Sequence, residues 1–324
     1  MCTAICFKTK DFYFGRTLDY DYSYLEEVTV TPRNFEFNLR HTEPLRSHYA
    51  MIGMAYIFDG YPLYYDAANE RGLAMAALSF PKSAHYSKIM CGRENIAQFE
   101  FIPRVLGGCA SVSDARRLLE NINLIDEAFS DELPISPLHW LIADRDGVIT
   151  VEATREGLRV YDNRIGVLTN EPPFDEQISR MRDYMALSSR EPVNYFAADL
   201  KFEPYSRGMG AIGLPGDLSS ASRFVRAAFT LHNSRSGDSE EESVGQFFHI
   251  LGTVEQVRGC CEVAPEKFEI TIYSSCCNAT RGIYYYTTYG NRRISAVDMH
   301  SENLDGNMLV RCPIIRGEQI YRQN

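Results

Sequence analysis

Apolar and polar residues alternate with period two near both ends of the chain, a pattern that predicts half-buried strands. Ala4–Phe7 and Phe12–Thr17 read as short strands around a Lys10-Asp11 turn, and Glu27–Thr31 as a third strand closed by Pro32. Leu138–Ala143 and Val148–Glu152 flank Asp146-Gly147, a dipeptide that accepts the positive φ of a tight hairpin turn. A second hairpin runs through Arg155-Glu156-Gly157 into Leu158–Tyr161. Phe268–Tyr273, Gly282–Thr287 and Arg293–Val297 read as further strands.

Helical spacing comes in separate blocks. Ser111 and Asp114 form a capping pair, after which Val112, Ala115, Leu118, Leu119 and Ile122 fall on one face. Phe174, Ile178, Met181 and Met185 mark a second helix. Val244, Phe247, Phe248, Leu251 and Val254 mark a third, opened by Glu240-Glu241-Glu242, whose charge suits a helix N-terminus. Another helix is capped around Asp217 or Ser219 and carries Arg223 and Arg226 a turn apart. Adjacent hairpins with helices gathered between them predict an α+β fold of antiparallel sheets, not βαβ repeats. Length allows two domains, but no linker or repeat divides the chain, so one domain over 1–324 is expected.

Composition narrows the function. The chain is acidic, with a net charge of −10, and has no dense Lys/Arg run, which argues against nucleic acid as a partner. The longest apolar runs, such as Gly72–Leu78, are too short for a membrane span. The N-terminus lacks a basic segment followed by an apolar one, so no secretory signal is read. Nine cysteines, with doublets at Cys260-Cys261 and Cys276-Cys277, do not form a secreted disulfide framework and suit a reducing cytoplasm. No Cys/His spacing matches a metal site, and neither metal nor cofactor is expected.

The second residue carries the sharpest chemistry. Removal of Met1 would leave Cys2 at the terminus, where one residue holds a nucleophilic thiol and a basic α-amine. If the Lys10-Asp11 turn folds the second strand onto the first, Arg16 and Asp19 come near Cys2. A guanidinium there would stabilise the thiolate, and a carboxylate would orient the amine. A surface ion pair beside an unremarkable cysteine is the alternative.

Further motifs weigh against that alternative. Met1-Cys2-Thr3, Phe14–Asp19, Asn69–Leu73, Gly166–Asn170, Gly213–Asp217 and Ser219–Phe224 follow one another in order, with Gly282–Tyr286 and Asn303–Asn307 near the end. In this respect the chain resembles the choloylglycine hydrolases, the bile salt hydrolases and penicillin V acylases. The resemblance implies an N-terminal nucleophile hydrolase fold of four layers, αββα, with two antiparallel sheets between helices. It also implies cleavage of an amide C–N bond through an acyl-enzyme. Carried over by position, Cys2 is the nucleophile and its α-amine the base, with Arg16 beside the thiol and Asp19 holding the amine. Asn170 donates to the oxyanion, a contact typically worth about 2.7–4 kcal/mol in the transition state. Arg223 completes the polar network.

One position departs from the family pattern. Leu78-Ser79-Phe80-Pro81 has Ser79 where bile salt hydrolases usually carry asparagine, and the shorter side chain leaves its backbone as the donor. Hydrolysis is still expected, with the choice among bile salts, penicillin V and other N-acyl amides left open. The resemblance assigns the acyl pocket to Leu18, Tyr24, Phe58, Tyr65, Phe129 and Leu133, apolar side chains that suit a rigid steroid. The alternative for several of these is a place in the core. Tyr22 and Tyr24 add hydroxyls that could meet those of a steroid.

The substrates implied are glycine- or taurine-conjugated bile acids, and a homotetramer is implied, with the loop-like Lys201–Gly213 stretch reaching across an interface. A non-catalytic protein that binds an amphipathic ligand is the reading from another class. Gly208–Gly213 matches a dinucleotide-binding pattern, but no strand precedes it and Pro215-Gly216 follows, so a loop is expected. No histidine is given a catalytic task.

Overall fold

The computed structural model describes residues 1–324. The chain begins with strands β1 (Cys2–Lys8), β2 (Phe12–Tyr20), β3 (Glu27–Thr31), β4 (Met51–Phe58), β5 (Tyr61–Asn69), β6 (Ala74–Ser79) and β7 (Glu94–Ala97). Helices α1 (Phe101–Gly108) and α2 (Val112–Leu119) precede β8 (Ile122–Ile125), β9 (Leu138–Ala143), β10 (Val148–Thr154), β11 (Gly157–Asp162) and β12 (Val167–Leu168). Next come α3 (Phe174–Arg180), α4 (Ser220–Asn233), α5 (Glu240–Gly252) and the small hairpin β13 (Glu262–Ala264) and β14 (Lys267–Phe268). Strands β15 (Ile270–Asn278), β16 (Ile283–Thr288), β17 (Asn291–Asp298) and β18 (Val310–Pro313) complete the fold.

Two antiparallel sheets stack on each other. One has the order β12-β1-β2-β15-β16-β17 and the other β11-β10-β9-β6-β5-β4-β3-β18. Helices α4 and α5 cover the outer face of the first, and α1 packs on β5 and β6 of the second, giving the αββα layering. The pleat of β6 and β9 explains the two cores. Ala74, Ala76, Leu78, Leu141 and Ala143 face the first sheet, whereas Met75, Ala77, Trp140 and Ile142 face α1 and α2. Strands covered on both faces are mostly apolar without strict alternation, as in β4, β5 and β6, so no period-two signal marks them in the sequence.

The N-terminal strands, both predicted hairpins and the Ser111 cap form as read. Ser111 accepts from Asp114 N, and Ser239 with Glu242 makes a full capping box at α5. Ser219, not Asp217, caps α4. Three expectations need correction. Ile122 leaves the α2 face because the helix ends at Leu119 and Ile122 opens β8, which pairs in parallel with β7. The second expected helix stops at Arg180 and tightens into a 3₁₀ turn; Phe174 and Met181 reach the core, whereas Ile178 and Met185 are exposed. Expected strand 268–273 is split at Glu269 and instead runs on to Asn278, burying Cys276 and Cys277. Gly15 lets β2 and β15 close up, since a Cβ there would collide with the Ser275 carbonyl. The 208–213 stretch is a loop around one 3₁₀ turn, as expected.

Candidate active site

Strand pairing assembles the N-terminal site. In the β1–β2 ladder Cys2 stands opposite Leu18 and Ala4 opposite Arg16, so these four side chains share one sheet face. That face looks toward the second sheet, and Arg16 crosses the gap: Nη1 donates to the carbonyls of Tyr65, at 3.2 Å, and Ala77. Asp19 lies three residues from Arg16 and therefore on the opposite face. The two groups expected together near Cys2 flank it from either side of β2, Arg16 on the thiol side and Asp19 beneath the backbone.

The lower side is a closed polar nest. Asp19 Oδ1 accepts from Thr271 Oγ1 at 2.7 Å and Oδ2 from Thr17 Oγ1 at 3.1 Å, with Arg223 Nη1 at 4.0 Å. Arg223, fully buried on α4, donates to Cys2 O and Thr3 Oγ1, both at 2.6 Å, to Asn170 Oδ1 at 2.7 Å, and to Leu218 O at 3.0 Å. Burial pushes the Asp19 carboxyl above its ordinary range, against the pull of Arg223, the chain-terminal ammonium and its two hydroxyl donors. Burial likewise lowers Arg223. For Arg16 burial also disfavours the charge, but Cys2, Tyr273, Asp66 and Asp19 together outweigh it and hold the group above its usual value.

Asn170 follows β12 and turns its side chain onto Cys2. Its Oδ1 accepts from Cys2 N at 2.9 Å, and Nδ2 donates to Ser79 O at 2.8 Å. An amide nitrogen has two hydrogens, so one N–H remains uncommitted. Ser79 meets this network through its carbonyl, at the end of β6, while its backbone pairs with Leu138. The Met1 ammonium donates to Asp19 O at 2.6 Å and pairs with the buried Glu269 carboxylate; burial lowers its pKa.

Beyond Arg16 opens a cleft of about 500 Å3. Tyr24, Tyr65, Phe129 and Leu133 line it. Leu18 and Phe58 do not. Leu18 is buried in the inter-sheet core beside Cys2, and Phe58 supports the wall edge-on to Phe129 with ring centroids 5.9 Å apart. Tyr22, also in the wall, donates its hydroxyl to that of Tyr24 at 2.8 Å. Sequence analysis misses Tyr20, Tyr56 and Trp140 in the same lining, although Tyr20, Tyr22 and Tyr24 at alternate positions are a visible period-two signal. It also misses Asp66, which accepts from Tyr273 at 2.6 Å, Tyr284 at 2.7 Å and Ser275 at 3.0 Å and ties the sheets together under Arg16. Arg16 Nη2 is buried with no hydrogen-bond partner.

A buried cysteine with a neighbouring guanidinium, an amide side chain on its nitrogen and an aromatic cleft alongside form a site able to attack and split an acyl group. Residues 2–312 match the family of linear amide C–N hydrolases of the choloylglycine hydrolase family. The chain is 50% identical to the bile salt hydrolase/transferase of Lactiplantibacillus plantarum over 324 residues, the full length of both. It is 41% identical to the enzyme of the same name from Clostridium perfringens, over 95% of each chain. A mutant conjugated bile acid hydrolase from Clostridium perfringens superimposes with a TM-score of 0.92 at 39% identity over the whole of both chains. Penicillin V acylase from Agrobacterium tumefaciens shares the fold, with a TM-score of 0.78 at 19% identity over 97% of this chain and 92% of that one. The chain belongs to the choloylglycine hydrolase family of linear amide C–N hydrolases.

Proposed function

We propose that the protein, as a single domain over 1–324 and after loss of Met1, hydrolyses the amide bond of glycine- or taurine-conjugated bile acids through an acyl-enzyme on Cys2. The observation that carries this reading is the junction at Arg16, which joins the Cys2 site to a cleft whose wall is rich in tyrosine and other apolar residues. With Met1 gone, the Cys2 nitrogen becomes an α-amine beside Asn170 Oδ1. The amine takes the thiol proton, and the sulfur attacks the substrate carbonyl. The free N–H of Asn170 meets the oxyanion, and Arg16, on the thiol side of β2, supplies positive charge beside the attacking sulfur. The protonated amine then passes its proton to the leaving glycine or taurine nitrogen, and water releases the acyl group from sulfur. Asp19 and Arg223 hold the backbone around Cys2 from below. Ser79 acts through its carbonyl, by orienting Asn170.

Incubating the processed protein with glyco- and tauro-conjugates and measuring free amino acid tests the reading. Silence toward both, with cleavage of penicillin V, moves the activity to the acylase branch. Mass spectrometry of the N-terminus tests the alternative of a non-catalytic binding protein: a retained Met1 blocks the α-amine and favours binding.

The same reading includes a homotetramer in the cytoplasm. Exposed Tyr195, Phe196 and Tyr205 on the segment between α3 and α4 support contact between copies, and light scattering checks it. No helix is long and apolar enough to cross a membrane. Cys276 and Cys277 as buried thiols suit a reducing compartment, which cell fractionation checks.

A further inference from the structure

Behind the Asn170 turn lies a buried ionisable pair with no part in the chemistry above. His139 on β9 and Glu152 on β10 stand opposite each other in the antiparallel register, and both are fully buried. His139 Nδ1 is 3.1 Å from Glu152 Oε1, and His139 Nε2 is 2.9 Å from the Thr169 carbonyl oxygen. A carbonyl only accepts, so Nε2 carries a hydrogen and donates it to Thr169. A bare Nδ1 would then face carboxylate lone pairs, so one proton lies between Nδ1 and Oε1. The pair is neutral as a whole, as a dry interior requires.

Glu152 Oε1 also accepts the Phe174 N–H at 3.0 Å. Oε2 has no partner, so the carboxyl acts through Oε1 alone. The pair thus holds the 169–174 turn at both ends, Thr169 by its carbonyl and Phe174 by its amide. The imidazole also stacks on Phe80, with centroids 4.3 Å apart and planes 5° from parallel. Phe80 follows Ser79, whose carbonyl receives Asn170 Nδ2. Thr169, which precedes Asn170, and Phe80, which follows its acceptor Ser79, therefore both lean on one imidazole, while Asn170 N donates to Ser220 Oγ at 2.8 Å.

We propose that His139 and Glu152 are positioning residues for the amide-cleaving site, fixing the Asn170 side chain against Cys2 by pinning the turn that carries it. The role rests on the hydrolase reading above, and its test has a readout independent of turnover. His139→Ala removes the pin, and Glu152→Gln removes the carboxyl and the proton it shares with His139 while keeping an oxygen for Phe174. The double variant H139Q/E152Q restores a neutral pair, with an N–H for Thr169 and an oxygen for Phe174.

In His139→Ala, kcat should fall about 100-fold with KM within about threefold, the effect of displacing a catalytic group by about 1 Å. Glu152→Gln, the milder change should His139→Ala not fold, should lose about tenfold in kcat on the same grounds. The double variant should recover about tenfold over His139→Ala. Hydrogen exchange across residues 169–174 should quicken about tenfold in both single variants while β1 and β2 stay protected. Unchanged kcat in a folded single variant overturns the role, as does a double variant no better than His139→Ala, or a KM that rises as kcat falls. If the unsubstituted protein cleaves no amide, the hydrolase reading fails separately, and unchanged exchange at 169–174 then overturns the pinning itself.

Discussion

Replacing Asn170 by alanine tests the centre of the mechanism, because its amide touches both Cys2 and the polar nest below. The side-chain oxygen accepts from Cys2 N at 2.9 Å and Arg223 Nη2 at 2.7 Å, and the nitrogen donates to Ser79 O at 2.8 Å. A hydrogen bond to a charged group contributes about 1.5–3 kcal/mol net. Arg223 keeps its acceptors on Cys2, Thr3 and Leu218, so it is not orphaned. Folding stability should therefore fall by about 2–3 kcal/mol. Turnover should suffer more, since a lost oxyanion donor typically lowers kcat by about 100- to 1000-fold. Asn170→Asp separates the two effects. Its carboxylate still accepts from Arg223 and Cys2 N, but it has no N–H and sets a negative charge against the oxyanion. It should turn over no faster than the alanine variant while unfolding nearer the parent midpoint. The assays are amino acid release at saturating glycine-conjugated bile acid and urea unfolding. Turnover within about tenfold of the parent in both variants would refute the oxyanion role, however much stability they lost.

Other perturbations probe the surroundings. Arg223→Met removes a fully buried guanidinium, leaves its four acceptors without that donor and strips Asp19 of a buried cation, so urea unfolding should show a loss of about 3–5 kcal/mol. Burial raises the Asp19 pKa above the unfolded value of 3.8. The folded state therefore binds that proton more tightly, and the stability it contributes is full below that value and lost as pH rises through the raised pKa. The stability of the parent minus that of Asp19→Asn should decline with pH over this window, and a rising difference would contradict the assignment. Phe129→Ala strips an aromatic ring from the cleft wall and should raise KM for bile acid conjugates about tenfold, with kcat little changed. A fall in kcat alone would place Phe129 in the chemistry instead.

Local patterning made much of the scaffold legible. Asp146-Gly147 marked the β9–β10 hairpin, and Ser111 and the Glu240-Glu241-Glu242 run marked the starts of α2 and α5. These features depend on neighbours within a few residues, and their physics is written in the spacing. The candidate site was legible by resemblance, as a set of residues without an arrangement. The apolar spacing misled at Ile178 and Met185, which are exposed although Phe174 on the same spacing is buried, because periodicity records which side chains align and not whether anything packs on them.

What the sequence determined by itself is the inventory: a cysteine at position two, the basic, acidic and amide residues at Arg16, Asp19, Asn170 and Arg223, and strands that must pair antiparallel. Tertiary structure alone decided which faces these groups occupy. The pleat of β2 parts Arg16 from Asp19, and stacking of the two sheets gives Arg16 its carbonyl partners on β5 and β6. Only the fold sends Leu18 into the core, and only it brings His139 and Glu152 under the Asn170 turn. Contacts between segments a hundred residues apart depend on register and on what covers each sheet, and no local pattern encodes either.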